Sequence, residues 1–325
     1  MESAAAARTL GILTDLQARP LPLDAPVNSI PSSDDLRTRF LLPQAGVRGV
    51  SVRLRQAWAD LREPAHYPPR ARDLLGQAVA AAALFTGHVK IDGRLSVQLR
   101  SSVGLRTLFT ECTAAGTVRG IVQLRDGHDA PADLTALGDD ALLAITIENP
   151  GLDPREPQRY QSLVELSAAT LDAAFQDYFL RSEQLPTRLL LAADGDQVAG
   201  IMLQKLPGDE GDADGWQRAG MLFDTLGRGE LLATAPTALL HRLFHEESVV
   251  VLNQQPLRFA CSCSRERVEG MLVSLGREEA MAAAEEGQAE IRCEFCGRRY
   301  HFSPDQIAQL FEGAPLLASG SERLQ

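Results

Sequence analysis

The spacing of apolar positions along the chain changes period several times. Gly49-Val-Ser-Val-Arg-Leu alternates apolar and polar residues, the signature of a half-buried strand. Tyr67-Pro68-Pro69 interrupts, and the Ala- and Leu-rich run Arg70–Thr86 then predicts a buried helix closed by Gly87. Further strands are predicted at Leu95–Leu99, Val118–Leu124 and Leu142–Ile147, and at Tyr160–Leu166 beyond the Pro150–Pro157 loop. Leu171–Leu180 puts Leu171, Phe175 and Phe179 on one helical stripe. Past Pro186, Arg188–Ala192 and Val198–Leu206 read as two strands about a turn at Gly195. Strands outnumber helices and do not alternate regularly with them. The fold class is therefore α+β, a mixed β-sheet domain with packed helices, rather than a doubly wound sheet. No period of 20–50 residues repeats.

The pattern breaks at Pro207-Gly-Asp-Glu-Gly-Asp-Ala-Asp-Gly215, which has neither helical spacing nor β-branched residues. Its Asp209, Asp212 and Asp214 do not stand in the order of an EF-hand, so an exposed acidic linker is expected rather than a calcium loop. Two amphipathic helices follow at Trp216–Leu226 and Pro236–Glu247, the second carrying Leu239, Leu240, Leu243 and Phe244 on its apolar face. Too little apolar sequence lies between 207 and 257 for an independent core, so these helices must cover a neighbouring domain and open more readily than a core does. The expected organisation is an arm at 1–35, a core domain at 36–206, a metastable helical linker at 207–257, a small cysteine-bearing module at 258–312 and a tail at 313–325.

Composition changes this picture in three ways. Across 325 residues, 45% of them hydrophobic, the net charge is −11, which disfavours a nucleic-acid binder. No run approaches the roughly 18 apolar residues of a membrane span. The first 33 residues lack the basic start and apolar centre of a secretory signal, so a poorly ordered arm and a reducing, cytoplasmic setting are expected.

Four of the five cysteines then stand out: Cys261 and Cys263, and Cys293 and Cys296 after a gap. Two such pairs can converge as a tetrahedral thiolate set, the ligand set of structural zinc. The gap holds structure of its own, because Val268, Met271, Leu272, Leu275 and Met281 fall near helical spacing. Three chemistries are open to such a site. A static clip would fold the module. A catalytic zinc fits badly, because four thiolates leave no position for water. A redox switch fits, with Arg265, Arg267, Arg292 and Arg298 close by in sequence to favour thiolate.

Other candidates carry less. There is no P-loop, no Gly-x-Ser-x-Gly elbow and no His-Glu-x-x-His. His245-Glu246-Glu247 reads as a surface pair at a helix end. His301 could complete a Cys₃His set only if one thiol were spared. Cys112, in Phe109-Thr-Glu-Cys112, is expected to be a buried small hydrophobe between strands.

The segment Arg258-Phe-Ala-Cys261-Ser-Cys263-Ser-Arg-Glu-Arg, with Cys293-Glu-Phe-Cys296-Gly-x-x-Tyr300-x-Phe302, closely resembles the zinc module of the 33 kDa chaperonin family, the redox-regulated holdases of bacteria. Asp177-Tyr-Phe-Leu-Arg-Ser-Glu-Gln-Leu-Pro-Thr-Arg188 is similar to a second signature of that family, and the likeness spans about residues 39 to 312. The resemblance implies a chaperone rather than an enzyme, with one zinc per chain on Cys261, Cys263, Cys293 and Cys296 in an inactive reduced form. It implies disulfides Cys261–Cys263 and Cys293–Cys296 on oxidation, zinc release and unfolding of module and linker. It further implies ATP-independent holding of unfolding clients, usually by a homodimer. The client surface is expected beneath the linker helices, including Leu239, Leu240, Leu243 and Phe244. The extension of about 35 residues and Cys112 depart from the family pattern. Rival readings are a static zinc ribbon that binds protein or RNA and a thioredoxin-type use of Cys293-x-x-Cys296. The ribbon would want a basic or aromatic surface, which seven Arg against eight Glu from Arg258 to Arg299 do not provide. The thioredoxin motif would stand without Cys261 and Cys263.

Overall fold

The computed structural model describes residues 34–125, 128–151, 157–208, 211–285 and 287–312. The expected arm up to residue 33, the tail from 313, the 152–156 part of the Pro150–Pro157 loop and Asp209 lie outside the described residues. The chain divides into two compact units, the first ending at Ala260 and the second beginning at Cys261.

The first unit opens with strands β1 (Leu36–Leu42) and β2 (Val47–Leu54), then helices α1 (Gln56–Arg62) and α2 (Pro69–His88). A meander follows: β3 (Arg94–Arg100), β4 (Leu105–Thr113), β5 (Thr117–Leu124), β6 (Leu142–Asn149) and β7 (Gln158–Val164). Helix α3 (Leu171–Arg181) leads into the hairpin β8 (Thr187–Ala193) and β9 (Val198–Lys205). Three short helices, α4 (Gly215–Asp224), α5 (Arg228–Ala233) and α6 (Pro236–Phe244), precede β10 (Val250–Pro256) and the two-residue β11 (Arg258–Phe259).

These strands form two sheets, one ordered β10-β1-β2-β9-β8 and the other β11-β5-β4-β3-β6-β7. Every pairing is antiparallel except β11 with β5. Helix α2 packs on strands of both sheets, which explains its composition. A helix apolar on all sides is a buried helix, and a run of alanines lets both sheets come close. Gly76 marks one such close approach, since a Cβ there would lie 2.6 Å from Ala193 Cβ. Pro69 starts α2 at a position where no backbone N–H is needed.

The expected α+β class is the observed one, and the foreseen strands and α3 stand within a few residues of their predicted ends. Leu171, Phe175 and Phe179 are all buried. Strands β1, β4, β10 and β11 and helices α1 and α5 of this unit were not foreseen. Strands β1 and β4 carry polar residues inward, as at Thr38, Thr110 and Glu111, which spoils the alternation. Helix α1 is too short for a periodic signal, and β10 is an edge strand whose Asn253, Gln254 and Gln255 carry no apolar pattern. Cys112 lies within β4 rather than between strands, fully buried, with Arg37 Nη1 at 3.7 Å from its sulfur.

The 207–257 stretch belongs to the first unit, which reaches just past the expected boundary because β11 pairs with β5. Its helices do cover a neighbour. Phe223, Leu226, Leu231, Leu239, Leu240, Leu243 and Phe244 pack against Phe40, Leu42, Val47, Ile201 and Leu203 of the five-stranded sheet. Each such side chain buried contributes roughly 1.5–3 kcal/mol. Two arginines fasten the same stretch. Arg228 Nη2 lies 2.6 Å from the buried Asp172 Oδ2, and its Nη1 donates to the Leu191 carbonyl. Arg218 holds Glu247 at 3.0 Å together with Asp212 and Asp214, so these two aspartates of the acidic loop already have a cation. Glu247 is thus a buried partner of Arg218, not a member of a surface pair; only His245 and Glu246 are exposed.

The second unit contains α7 (Arg265–Leu275), α8 (Arg277–Ala282), the hairpin β12 (Ala289–Arg292) and β13 (Arg299–Phe302), and α9 (Pro304–Glu312). The single helical pattern expected from Val268 to Met281 is split at Gly276, whose φ of +92° an L side chain would adopt only with strain. Val268 and Leu272 face the core with Ala280, Ala289, Tyr300, Phe302 and Ile307, whereas Met271 and Leu275 are exposed.

Candidate metal centre

Each cysteine pair is placed by a local device. Cys261 and Cys263 lie on extended chain just before α7, whose N-cap Ser264 accepts a hydrogen bond from the Arg267 amide. Arg267 Nη1 also donates to Ser262 Oγ at 2.8 Å, which ties down the residue between the two thiols. Cys293 and Cys296 occupy the turn that joins β12 to β13. There the Cys293 amide donates to the Arg298 carbonyl and the Gly297 amide to the Cys293 carbonyl, both at 2.8 Å. Gly297 takes a φ of +68°, the left-handed conformation that lets the chain reverse with both sulfurs on one side.

The four sulfur atoms lie within 4.8 Å of one another and form the one group of potential metal ligands of this size among the described residues. Cys261 and Cys293 sulfurs are 3.6 Å apart, and those of Cys263 and Cys296 are 3.3 Å apart. A sulfur–sulfur bond is about 2.05 Å long, so no disulfide is present between these atoms. Tetrahedral zinc with bonds of about 2.3 Å would set its sulfurs about 3.8 Å apart. The quartet therefore fits zinc with only small adjustment. Both of these contacts join one pair to the other, so the centre ties the start of α7 to the β12–β13 turn.

The electrostatics favour an anion at one corner. Tyr300 Oη donates to Cys263 Sγ at 3.2 Å from a ring buried in the module's core. Partial burial works against the Cys263 thiolate, but the Tyr300 hydroxyl and the neighbouring thiols outweigh it and bring its pKa down to about 7. Burial pushes the Cys261 thiol up to about 12 and raises Cys296 as well. A hydrogen bond with Tyr300, and after it the nearby Tyr300, Cys263 and Cys296, favour the protonated form of Arg298. Of the arginines expected to assist, Arg265 lies over the Phe302 ring and pairs with Glu269, and Arg267 serves Ser262. His301 turns to the opposite face of β13 from Tyr300 and approaches Glu290 at 3.8 Å. The Tyr300 hydroxyl is the functional group that sequence reasoning passed over. Its alternation with Phe302 is a signal that could have placed it on the inward face of β13, though not against a thiol.

Leu239, Leu240, Leu243 and Phe244, the expected client residues, are buried in the first unit in this form. No helix among the described residues is long and apolar enough to cross a membrane.

Comparison with known proteins agrees over most of the length. The family model described as Hsp33 protein matches residues 35–303. The 33 kDa chaperonin of Ectopseudomonas mendocina is 42% identical over 289 residues, which cover 86% of this chain and 96% of that protein. That of Pseudomonas aeruginosa strain LESB58 is 40% identical over 291 residues, 87% of this chain and 96% of its own. The crystal structure of the 33 kDa chaperonin from Thermotoga maritima superposes with a TM-score of 0.69 at 21% identity, covering 86% of this chain and 98% of that one, a likeness of fold.

Proposed function

This chain belongs to the 33 kDa chaperonin (Hsp33) family, and from that premise we propose that it is a redox-regulated holdase chaperone that works without ATP. The observation that carries the reading is the convergence of four thiols within 4.8 Å in a module with a small core of its own. Zinc bound there would supply a cross-link, and structural zinc in small modules is worth roughly 10–16 kcal/mol of folding free energy.

In a reducing compartment, such as a bacterial cytoplasm, the four thiolates keep one zinc and the chaperone is inactive. Each disulfide forms as one thiolate attacks peroxide to give a sulfenic acid and a second thiol attacks that sulfur and displaces water, so that two thiols and one peroxide give a disulfide and two waters. Two such events, joining Cys261 to Cys263 and Cys293 to Cys296, remove all four ligands. The module then loses its cross-link and unfolds. The 207–257 helices come away, and the apolar residues they cover, with Leu239, Leu240, Leu243 and Phe244, hold unfolding proteins. The active form is a homodimer.

The test is to measure zinc, free thiols and aggregation of a client before and after peroxide at raised temperature. The expected result is release of one zinc with loss of four thiols, and suppressed aggregation in the oxidised sample alone. Zinc that stays bound while the client aggregates equally in both states would make the site a static clip and sink the reading.

A further inference from the structure

Helix α6 and the residue that caps its C-terminus present two histidines away from the buried face. His241 and His245 are four residues apart, both exposed, and their rings stack with centroids 5.8 Å apart and planes inclined by 26°. Residues at this spacing are neighbours on a helix surface, and two histidines so placed can share one metal ion. Glu246 Oε1 lies 3.9 Å from His245 Nε2, near enough to add an oxygen ligand when the side chain turns. The cation between them in sequence, Arg242, is paired with Glu230 at 3.2 Å and does not leave an uncompensated charge beside the rings.

We infer that His241 and His245 form a second site for a divalent ion, separate from the four thiols, and that filling it holds the last turn of α6 folded. Neutral imidazole suits borderline ions such as zinc and nickel. With two nitrogens, an optional carboxylate and water as ligands, this site is weaker than a closed thiolate set. An ion that binds only the folded turn suppresses its opening in proportion to occupancy. At a free concentration 100 times the dissociation constant, opening falls about 100-fold. The opposite face of α6 carries Leu240, Leu243 and Phe244, so the ion opposes their exposure. Only this last consequence rests on the chaperone reading; the site itself does not.

The test uses the reduced, full-length chain dialysed against a range of free zinc, with total zinc and amide exchange across residues 236–247 as readouts. Two zinc ions per chain are expected in the parent and one in His241→Ala and in His245→Ala. Exchange in α6 should slow with zinc in the parent alone. Both positions are exposed, so alanine leaves the packing of the helix intact. A second zinc that survives either substitution, no second zinc at all, or exchange indifferent to zinc would overturn the inference. A failure of the four-thiol site is read separately, since the totals would then be one in the parent and zero in the variants.

Discussion

Arg228 and Asp172 join the 207–257 stretch to the core by a charge pair whose carboxylate is buried. The Asp172 side chain is 6% exposed, and its carboxylate receives Arg228 at 2.6 Å, the Leu191 amide and the Thr170 hydroxyl. Removing one partner of a buried pair costs roughly 3–5 kcal/mol, because the other charge is left without compensation. Arg228 is 42% exposed, so the low end, about 3 kcal/mol, applies. Arg228→Leu should leave both sheets folded yet loosen α5 and the helices next to it. Limited proteolysis of the reduced protein should cut within 211–247 at least tenfold faster than in the parent, and client aggregation should be partly suppressed before any oxidant is added. Unchanged cleavage would show that apolar packing alone holds the stretch.

The Tyr300 hydroxyl donates to Cys263, one of the four thiols proposed to hold zinc. Partners that orient metal ligands typically contribute 10–100-fold in metal affinity. Tyr300→Phe keeps the ring in the core and removes only the hydroxyl that reaches Cys263. Competition with a chelator should show zinc held about tenfold less tightly at unchanged secondary structure. Equal affinity would make the hydroxyl an ornament of the packing.

The thiol quartet and the amphipathic α6 were legible because each rests on spacing: thiols that must converge, and Leu239, Leu240, Leu243 and Phe244 at helical intervals. What covers α6's apolar face was legible only as a need for a neighbour, since the pairing of β1 with β10 and of β2 with β9 decides it. Strand β10 was invisible because its pairing with β1 rests on backbone bonds and on polar contacts such as Arg37 with Gln255. The buried carboxylates of Asp172 and Glu247 were equally hidden. In sequence each is one acidic residue in a helical stretch, and their arginine partners lie 56 and 29 positions away.

Cutting the quartet itself should be the strongest perturbation. Cys296→Ser replaces a thiolate with a poor zinc ligand, and a hydroxyl cannot form a disulfide. With a module core built on few large side chains, Tyr300, Phe302, Leu272 and Ile307 among them, loss of zinc-derived stability on the order of 10 kcal/mol exceeds what packing can replace. The variant should purify without zinc in the thiol site, show rapid amide exchange throughout 261–312, and suppress client aggregation without oxidant. Native-like protection in that region would show that the module folds without its metal.

The first unit carries its own acid sensitivity at His88. Arg48 Nη2 lies 3.0 Å from His88 Nε2, so the guanidinium donates into the lone pair of a neutral imidazole. Desolvation of the half-buried ring, which meets Phe179 edge-on, reinforced by the charges of Arg48 and Arg39, lowers the His88 pKa to about 3. In the unfolded chain the ring takes a proton near pH 6.5. A depressed folded value means that the unfolded state binds more protons between these limits. The contribution is therefore complete above pH 6.5 and is lost as pH falls toward 3, at up to about 1.4 kcal/mol per unit. Gln204 accepts from the same Arg48, so His88→Gln keeps a neutral acceptor beside an arginine that stays anchored. Urea unfolding at pH 7 and pH 5 should show the parent losing 1–2 kcal/mol more than His88→Gln, roughly the proton linkage of one imidazole over that span. Equal losses in the two proteins would mean that His88 takes up its proton without unfolding, and that the Arg48 contact gives way instead.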